Sequence, residues 1–261
     1  MKIKYHVALD WTDEKIKIMN QFEIYPTKGH TAVQIEEKKY LKVKDYIYKW
    51  RGSDGIRYPE FTKEELKESL VSAKSGSHEN GYPMPDMDFG FRKLTYDLSN
   101  YCPSCGIGLK QKDAFRIKNV PPTGKKQIFS LGWIDDELFV EKKIYDEIFK
   151  PLGIGCREVL KYKKETPFED TVQLVLPETQ EKLNLEGYPT ETCATCNRTK
   201  YQAMPQGFFS MYKDIIAPIF KSYDYFGSGA SAYKRIFVTK ELRDKLIDLK
   251  IEKSIWYIPT K

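Results

Sequence analysis

Apolar and polar positions alternate along residues 1–9 (MKIKYHVAL), the period of a half-buried strand, and similar alternation at 19–25, 31–35 and 40–48 predicts three more strands. One helix start is clearly marked. In Thr62-Lys63-Glu64-Glu65 the threonine hydroxyl can accept from the Glu65 amide while the Glu65 side chain reaches back. This is a capping box, and Leu66 and Leu70 follow on one face before Ser75-Gly76-Ser77 ends the helix. The run HENGYPMPDMDF at 78–89 holds two prolines and a glycine and reads as an ordered loop or linker. It sets the predicted boundary between a small N-terminal α+β region, 1–90, and a second region, 91–261.

Within the second region one pattern occurs twice. LFVEKKIYDEI at 138–148 and IFVTKELRDKL at 236–246 each read as a short strand, a helix start and an amphipathic helix. A break and a further strand follow each, at 156–160 and at 254–258. Phe237 lies 98 positions after Phe139, and Cys193 lies 91 after Cys102. Two independent features recur at nearly one spacing, which predicts two diverged CxxC and strand-helix-strand units over 95–175 and 190–261. Between and within them, 177–183 predicts a short helix with Pro in its first turn, 208–216 an apolar-faced helix interrupted by Pro218, and 222–229 a tight turn. The predicted fold class is α+β.

A hydrophobic fraction of 41% and an aromatic fraction of 14% over 261 residues suffice for an ordinary core and exclude a disordered chain. No run approaches the ~18 apolar residues of a membrane span, and 1–15 contains no apolar signal core. A reducing cytoplasm is the expected compartment, and there CxxC pairs hold metal or do redox work more often than they form disulfides. The net charge of +6 comes from 43 basic and 37 acidic residues that are interleaved. Basic clusters at Lys38-Lys39, Lys125-Lys126 and 161–164 are short and have acidic neighbours. They predict solvated faces, with nucleic acid not the expected partner.

Four of the five cysteines sit in Cys102-Pro-Ser-Cys105-Gly106 and Cys193-Ala-Thr-Cys196-Asn197. Two thiolates two residues apart can grip one ion from a tight turn, and two such turns supply the four sulfurs of a closed tetrahedral Zn²⁺ site. The 87 residues between the pairs exceed the spacing of about 15 to 20 usual in a zinc ribbon. Loop closure makes that length cost only about 1.3 kcal/mol more, against roughly 10 to 16 kcal/mol from structural zinc. If the two units pack about a pseudo-twofold axis, each gives one knuckle and the metal staples them together. Packing thiols, or a redox or disulfide pair, are the alternatives. A thioredoxin-type pair opens a helix, whereas Pro103, Gly106 and Asn197-Arg198 predict turns. Cys156, unpartnered in a strand-like run, reads as a small buried residue.

Little else suggests catalysis. His6, His30 and His78 are scattered, Gly227-Ser228-Gly229 lacks the flanks of a phosphate cradle, and Asp135-Asp136-Glu137 reads as an acidic turn. Four sulfur ligands would leave a metal no open position, which argues against hydrolysis, and the expected protein is non-enzymatic.

The two CxxC steps, together with Ile236-Phe237-Val238-Thr239-Lys240 and Ile255-Trp256-Tyr257-Ile258-Pro259, resemble the double-CXXCG immunity proteins of bacterial polymorphic-toxin and contact-dependent killing systems, over residues 95–261. The resemblance implies a cytoplasmic protein that binds and neutralises a cognate protein toxin, with Cys102, Cys105, Cys193 and Cys196 as metal ligands. The chain departs from the pattern at Asn197, where the family has Gly. An immunity protein against a basic nuclease is expected to be acidic, so +6 argues against that toxin class unless an acidic patch such as 135–147 does the binding. Two other readings stay open. A zinc-ribbon nucleic-acid-binding module needs Lys110, Lys112, Arg116, Lys118, Arg198 and Lys200 on one face with exposed aromatics. A thiol oxidoreductase needs a reactive Cys102.

Overall fold

The computed structural model describes residues 1–119, 127–203 and 207–261, so the Lys125-Lys126 cluster lies outside the described residues. The protein is α+β, and its residues group into two compact units. The first holds Met1–Glu65 with Gly207 and Phe208. Its elements are β1 (Lys2–Trp11), α1 (Asp13–Asn20), β2 (Gly29–Glu36), α2 (Glu37–Arg51) and β3 (Ile56–Glu60), with β1 central and antiparallel to both neighbours. The strands expected at 1–9 and 31–35 form; those expected at 19–25 and 40–48 do not. The first of these lies in the end of α1 and the turn after it, and the second lies within α2. Tyr40, Val43 and Ile47 are buried at intervals of three and four, the helical period, and they pack on Val7, Leu9 and Trp11 of β1. Gly52, in the left-handed region at φ 73°, closes α2.

The capping box forms as expected, with Thr62 N donating to Glu65 Oε2 at 2.8 Å and Glu65 N to Thr62 Oγ1 at 3.1 Å. The helix it starts, α3 (Lys63–Glu68), is shorter than predicted, because the next residues make β4 (Val71–Lys74), buried on every side. The division between units falls inside α3, at Glu65 and Leu66. The 78–89 segment, predicted as a boundary, instead starts with β5 (His78–Glu79), paired in parallel within a sheet of the second unit.

That second unit, the described residues of Leu66–Ala203 and Phe209–Lys261, continues with α4 (Phe91–Thr95), β6 (Tyr96–Asp97), β7 (Lys110–Gln111), β8 (Arg116–Ile117), β9 (Ile128–Ser130) and β10 (Phe139–Glu141). After these come α5 (Lys142–Ile144), extended by tighter and wider turns to Leu152, then β11 (Gly155–Lys161) and β12 (Pro167–Val175). The last elements are β13 (Thr190–Thr192), β14 (Thr199–Tyr201), β15 (Ile219–Phe226), β16 (Tyr233–Thr239), α6 (Lys240–Asp248) and β17 (Tyr257–Pro259). Two six-stranded sheets result, in the orders β5-β9-β10-β12-β11-β8 and β13-β14-β15-β16-β4-β17.

The pattern repeated in the sequence is also repeated in register. In one sheet β9, β10, β12 and β11 run antiparallel to one another in turn; in the other β15, β16, β4 and β17 do the same. Phe139 faces Phe129 on one side and Gln173 on the other, and Phe237 faces Phe220 and Ala73. The two phenylalanine pairs stack alike, with ring centroids 5.6 and 5.8 Å apart. What differs is the source of the third strand. β12 follows β11 directly, whereas β4 precedes both repeats. Ile144, Ile148 and Phe149 after β10, and Leu242 and Leu246 after β16, enter one cluster with Val140, Val172, Ile219 and Val238, so the repeats share a core.

Three predicted elements are corrected here. Residues 177–183 form no helix, since Lys221 N donates to the Pro177 carbonyl, Thr179 N to the Lys221 carbonyl, and Leu183 N to Asp224 Oδ2. Residues 209–216 form no helix, because the Glu181 carboxylate takes the Lys213 and Asp214 amides that a helix would use internally. The turn expected at 222–229 begins only at Gly227, after β15 ends. Cys156 is exposed, not buried: β8 pairs only with Leu160 and Lys161, which leaves the first half of β11 at an open edge with the thiol against the Tyr145 hydroxyl.

Candidate metal centre

Each CxxC sits in the bend of a hairpin, the first between β6 and β7 and the second between β13 and β14. The bends have the same hydrogen bonds. Cys102 N donates to the Ile107 carbonyl at 2.9 Å and Gly106 N to the Cys102 carbonyl at 2.8 Å. In the second bend Cys193 N donates to the Arg198 carbonyl at 3.0 Å and Asn197 N to the Cys193 carbonyl at 2.8 Å. Closing such a bend needs a left-handed residue after the second cysteine. Gly106 fills that place at φ 82° and Asn197 at φ 58°. Asparagine is one of the few residues with a side chain that enters this region readily, so the departure from the CXXCG pattern leaves the bend intact.

The bends then meet counterpart to counterpart. Cys102 Sγ lies 3.8 Å from Cys193 Sγ, Cys105 Sγ lies 3.7 Å from Cys196 Sγ, and Thr195 Oγ1 donates to Ser104 Oγ at 3.1 Å, each pair separated by 91 positions. All four sulfurs are within 4.8 Å of one another, and they are the one such metal-ligating group among the described residues. A tetrahedron with zinc–sulfur bonds of about 2.3 Å has edges of about 3.8 Å. The cluster fits that geometry, and it is too wide for sulfur–sulfur bonds of about 2.05 Å. No helix starts at either pair, and all five cysteines are free.

The surroundings of the second pair favour thiolates. Arg198 Nε donates to Cys196 Sγ at 3.3 Å and brings that thiol down to about 6, while backbone amides of Cys196 and Thr195 lower Cys193. Burial pushes Cys105 up to about 12. Four adjacent sulfurs cannot all ionise without a cation among them, and a divalent ion supplies it. Four thiolates around Zn²⁺ would leave a net charge of −2. Arg198, on the Cys196 sulfur, would offset part of it, and a second cation, Lys200, holds the backbone of the first knuckle. Lys200 is fully buried, and its ammonium donates to the carbonyls of Cys105 at 2.9 Å, Ser231 at 3.0 Å and Gly229, with Glu191 3.6 Å away.

These two cations were read from sequence only as parts of a possible basic face, and their role depends on the strand pairing that brings β14 beneath the first knuckle. Arg116 is likewise nearly buried, with Glu165 and Asp113 on its guanidinium. Three of the six flanking basic residues are therefore engaged internally. Glu137 of the acidic turn is buried against Lys221, and His6, His30 and His78 lie outside the cysteine group.

Gly106 is held by more than its φ angle. A β-carbon there would lie 2.6 Å from both the Ala230 carbonyl oxygen and the Ala232 nitrogen, so the loop after β15 closes directly over the first knuckle. Gly106→Ala is expected to lower stability by more than the ~1–2 kcal/mol of a left-handed non-glycine residue, whereas Asn197→Gly should change it by less than about 0.5 kcal/mol. Urea unfolding of the two variants is the check, and equal effects would show that the knuckles are not packed unequally.

The fold and the centre define an α+β protein with two knuckles whose four-cysteine cluster fits zinc, and no helix among the described residues is long and apolar enough to cross a membrane. Comparison of the chain with protein-family models, with curated proteins and with solved structures finds no match.

Proposed function

We propose that this is a non-enzymatic immunity protein of the double-CXXCG type, acting in the cytoplasm, that binds and neutralises a cognate protein toxin. Zn²⁺ held by Cys102, Cys105, Cys193 and Cys196 is its structural clasp. The observation that carries the reading is the meeting of the two knuckles at four mutually adjacent sulfurs, three of them on buried cysteines. A metal held that way has no position open to a substrate. Its work is to fix two repeats as one surface, which suits a binding protein. The motifs that resemble the immunity family fall on the two knuckles, which are structurally equivalent, and on β16 and β17, which flank β4 in one sheet. Burial of Arg116 and Lys200 and the engagement of Arg198 with sulfur weaken the nucleic-acid reading, since phosphate binding needs free cations on one face.

The test is co-production with the polypeptide encoded beside this gene in a sensitive bacterial host. Growth is expected only when the full-length protein is present, along with a complex that survives gel filtration. A neighbouring product that is harmless alone, or lethal whether or not this protein is made, would overturn the reading.

A further inference from the structure

The second unit displays an aromatic patch that its own fold does not cover. Met87 is 79% exposed, Trp133 49%, Tyr82 48% and Phe89 40%. Exposed apolar residues scattered singly need no explanation, but the three rings touch. Tyr82 and Phe89 lie 4.5 and 4.8 Å from the Trp133 ring, and the buried Phe91 stacks beneath it at 6.3 Å. Contiguous exposed aromatics with Met and Arg have the composition of an interface centre.

The patch is held rigid. Trp133, Asp88 and Phe89 have φ of 68°, 50° and 53°, a region that bulky side chains rarely enter. Short turns fix them there, with Phe89 N donating to the Asp86 carbonyl at 3.2 Å, Gly90 N to Met87 at 2.9 Å and Ile134 N to Leu131 at 3.0 Å. Gly132 leaves room for the Tyr82 ring, which a β-carbon would approach to 2.3 Å. Rings fixed in advance lose little freedom on binding.

Its charge is the reverse of the chain's. Although the protein carries +6, the exposed carboxylates of Glu79, Asp88 and Asp135 rim the rings, with Asp86 and Asp136 half-buried beside them. Glu79 lies over Gly132 next to Tyr82, and Asp135 follows Trp133 by two positions. Of the nearby cations, Arg92 is occupied at 4.3 Å over Phe89 and by the Tyr101 hydroxyl, Lys118 is paired with Asp86 at 3.5 Å, and Arg235, which acts on Asp135, is itself buried; Lys93 is a further one. Of the acidic stretch 135–147, Glu137 is buried and Asp146 and Glu147 are paired with Lys142 and Lys143, so its contribution to this patch comes from Asp135 and Asp136.

We propose that this patch is the docking surface for a protein partner that presents arginine or lysine beside an apolar side chain, with the cation over Trp133 and among the carboxylates. Cation–π attraction and complementary charge then act at one place. The proposal deepens the toxin-binding reading and rests on it for the nature of the partner.

The probe is a library of short random peptides displayed on phage and panned against the full-length, zinc-replete protein. Enrichment of peptides that pair Arg or Lys with an aromatic or aliphatic residue is expected. A synthetic copy should bind wild type more weakly as salt rises and lose at least about thirtyfold in affinity with Trp133→Ala or Phe89→Ala. Glu79→Gln/Asp88→Asn/Asp135→Asn, which alters only exposed carboxylates, should weaken binding about tenfold, while Ile255→Ala, exposed elsewhere, should leave it unchanged. No enrichment, or binding that both aromatic variants and the charge variant retain, overturns the surface. A toxin neutralised equally by wild type and Trp133→Ala would overturn the surface and leave the immunity reading standing; peptide docking without protection would do the converse.

Discussion

Cys102→Ser, or stripping the metal from the wild-type protein under reducing conditions, is expected to abolish cooperative unfolding of the second unit. Structural zinc in small sites supplies roughly 10 to 16 kcal/mol, as much as the ~5 to 15 kcal/mol that keeps a typical domain folded. Here the metal would close a contact between bends 91 positions apart, so its loss should loosen the meeting of the two repeats as well as one hairpin. Purified, metal-replete protein should carry one zinc per chain and show a near-ultraviolet melt that a strong chelator shifts sharply downward. Cys156→Ser should change neither, because that thiol is far along the chain on an exposed strand edge. A zinc content under about half an equivalent, or a melt indifferent to chelator, would remove the clasp from the account.

Lys221→Met should be the next most damaging change. Lys221 Nζ lies 2.6 Å from Glu137 Oε1, and both side chains are buried. Glu137 Oε2 also accepts from Gln173 at 3.0 Å, and Gln173 exchanges amide hydrogen bonds with Gln111 at 2.8 and 2.7 Å. This network runs from the hairpin of the first knuckle to β15 of the second repeat, along a polar cleft of about 540 Å³. Removing the cation leaves a buried carboxylate unpaired, a loss of about 3 to 5 kcal/mol, whereas Glu137→Leu/Lys221→Leu should cost much less because neither charge remains buried. Burial already pushes the Glu137 carboxyl up, with Lys221 opposing it, and Lys221→Met removes that opposition. With its folded pKa above the unfolded value of about 4.3, the single variant should be most stable below that pH and lose stability as pH rises through the folded pKa. Urea titrations at acidic and neutral pH decide it. A single variant as stable as the double at neutral pH would mean that the pair is not coupled.

What could be read in the sequence was what depends on short-range pattern. The capping box at Thr62, the two CxxC bends and the strand-helix order after each of them are local chemistry, and the 91-residue spacing carried the pairing of cysteines across the repeats. Element type failed where an apolar run satisfied two periods at once. In 40–48 the buried positions Tyr40, Val43 and Ile47 follow a helix, but aromatic residues between them imitate alternation. The segments 177–183 and 209–216 had helix-like sequences, and remote groups took their amides: the Lys221 backbone, Asp224 and the Glu181 carboxylate. Nothing local announces such capture. Lys200 was illegible for a similar reason, since its three carbonyl partners come from the other knuckle and from the loop after β15.

The position of β4 has a consequence for synthesis. Val71–Lys74 lies between β16 and β17, pairing Ala73 with both Phe237 and Ile258. During translation this strand emerges long before either neighbour, and its row of backbone donors and acceptors must wait while most of the chain is made. The first repeat, whose strands β9 to β12 are neighbours in sequence, can assemble meanwhile. The second sheet must wait for β15 and β16 before β4 gains its first neighbour, and for β17 before it gains its second. A nascent chain held on the ribosome a little short of Tyr257 should therefore keep one edge of β4 open to chaperones or to other copies, and β17 is the latch that ends that exposure.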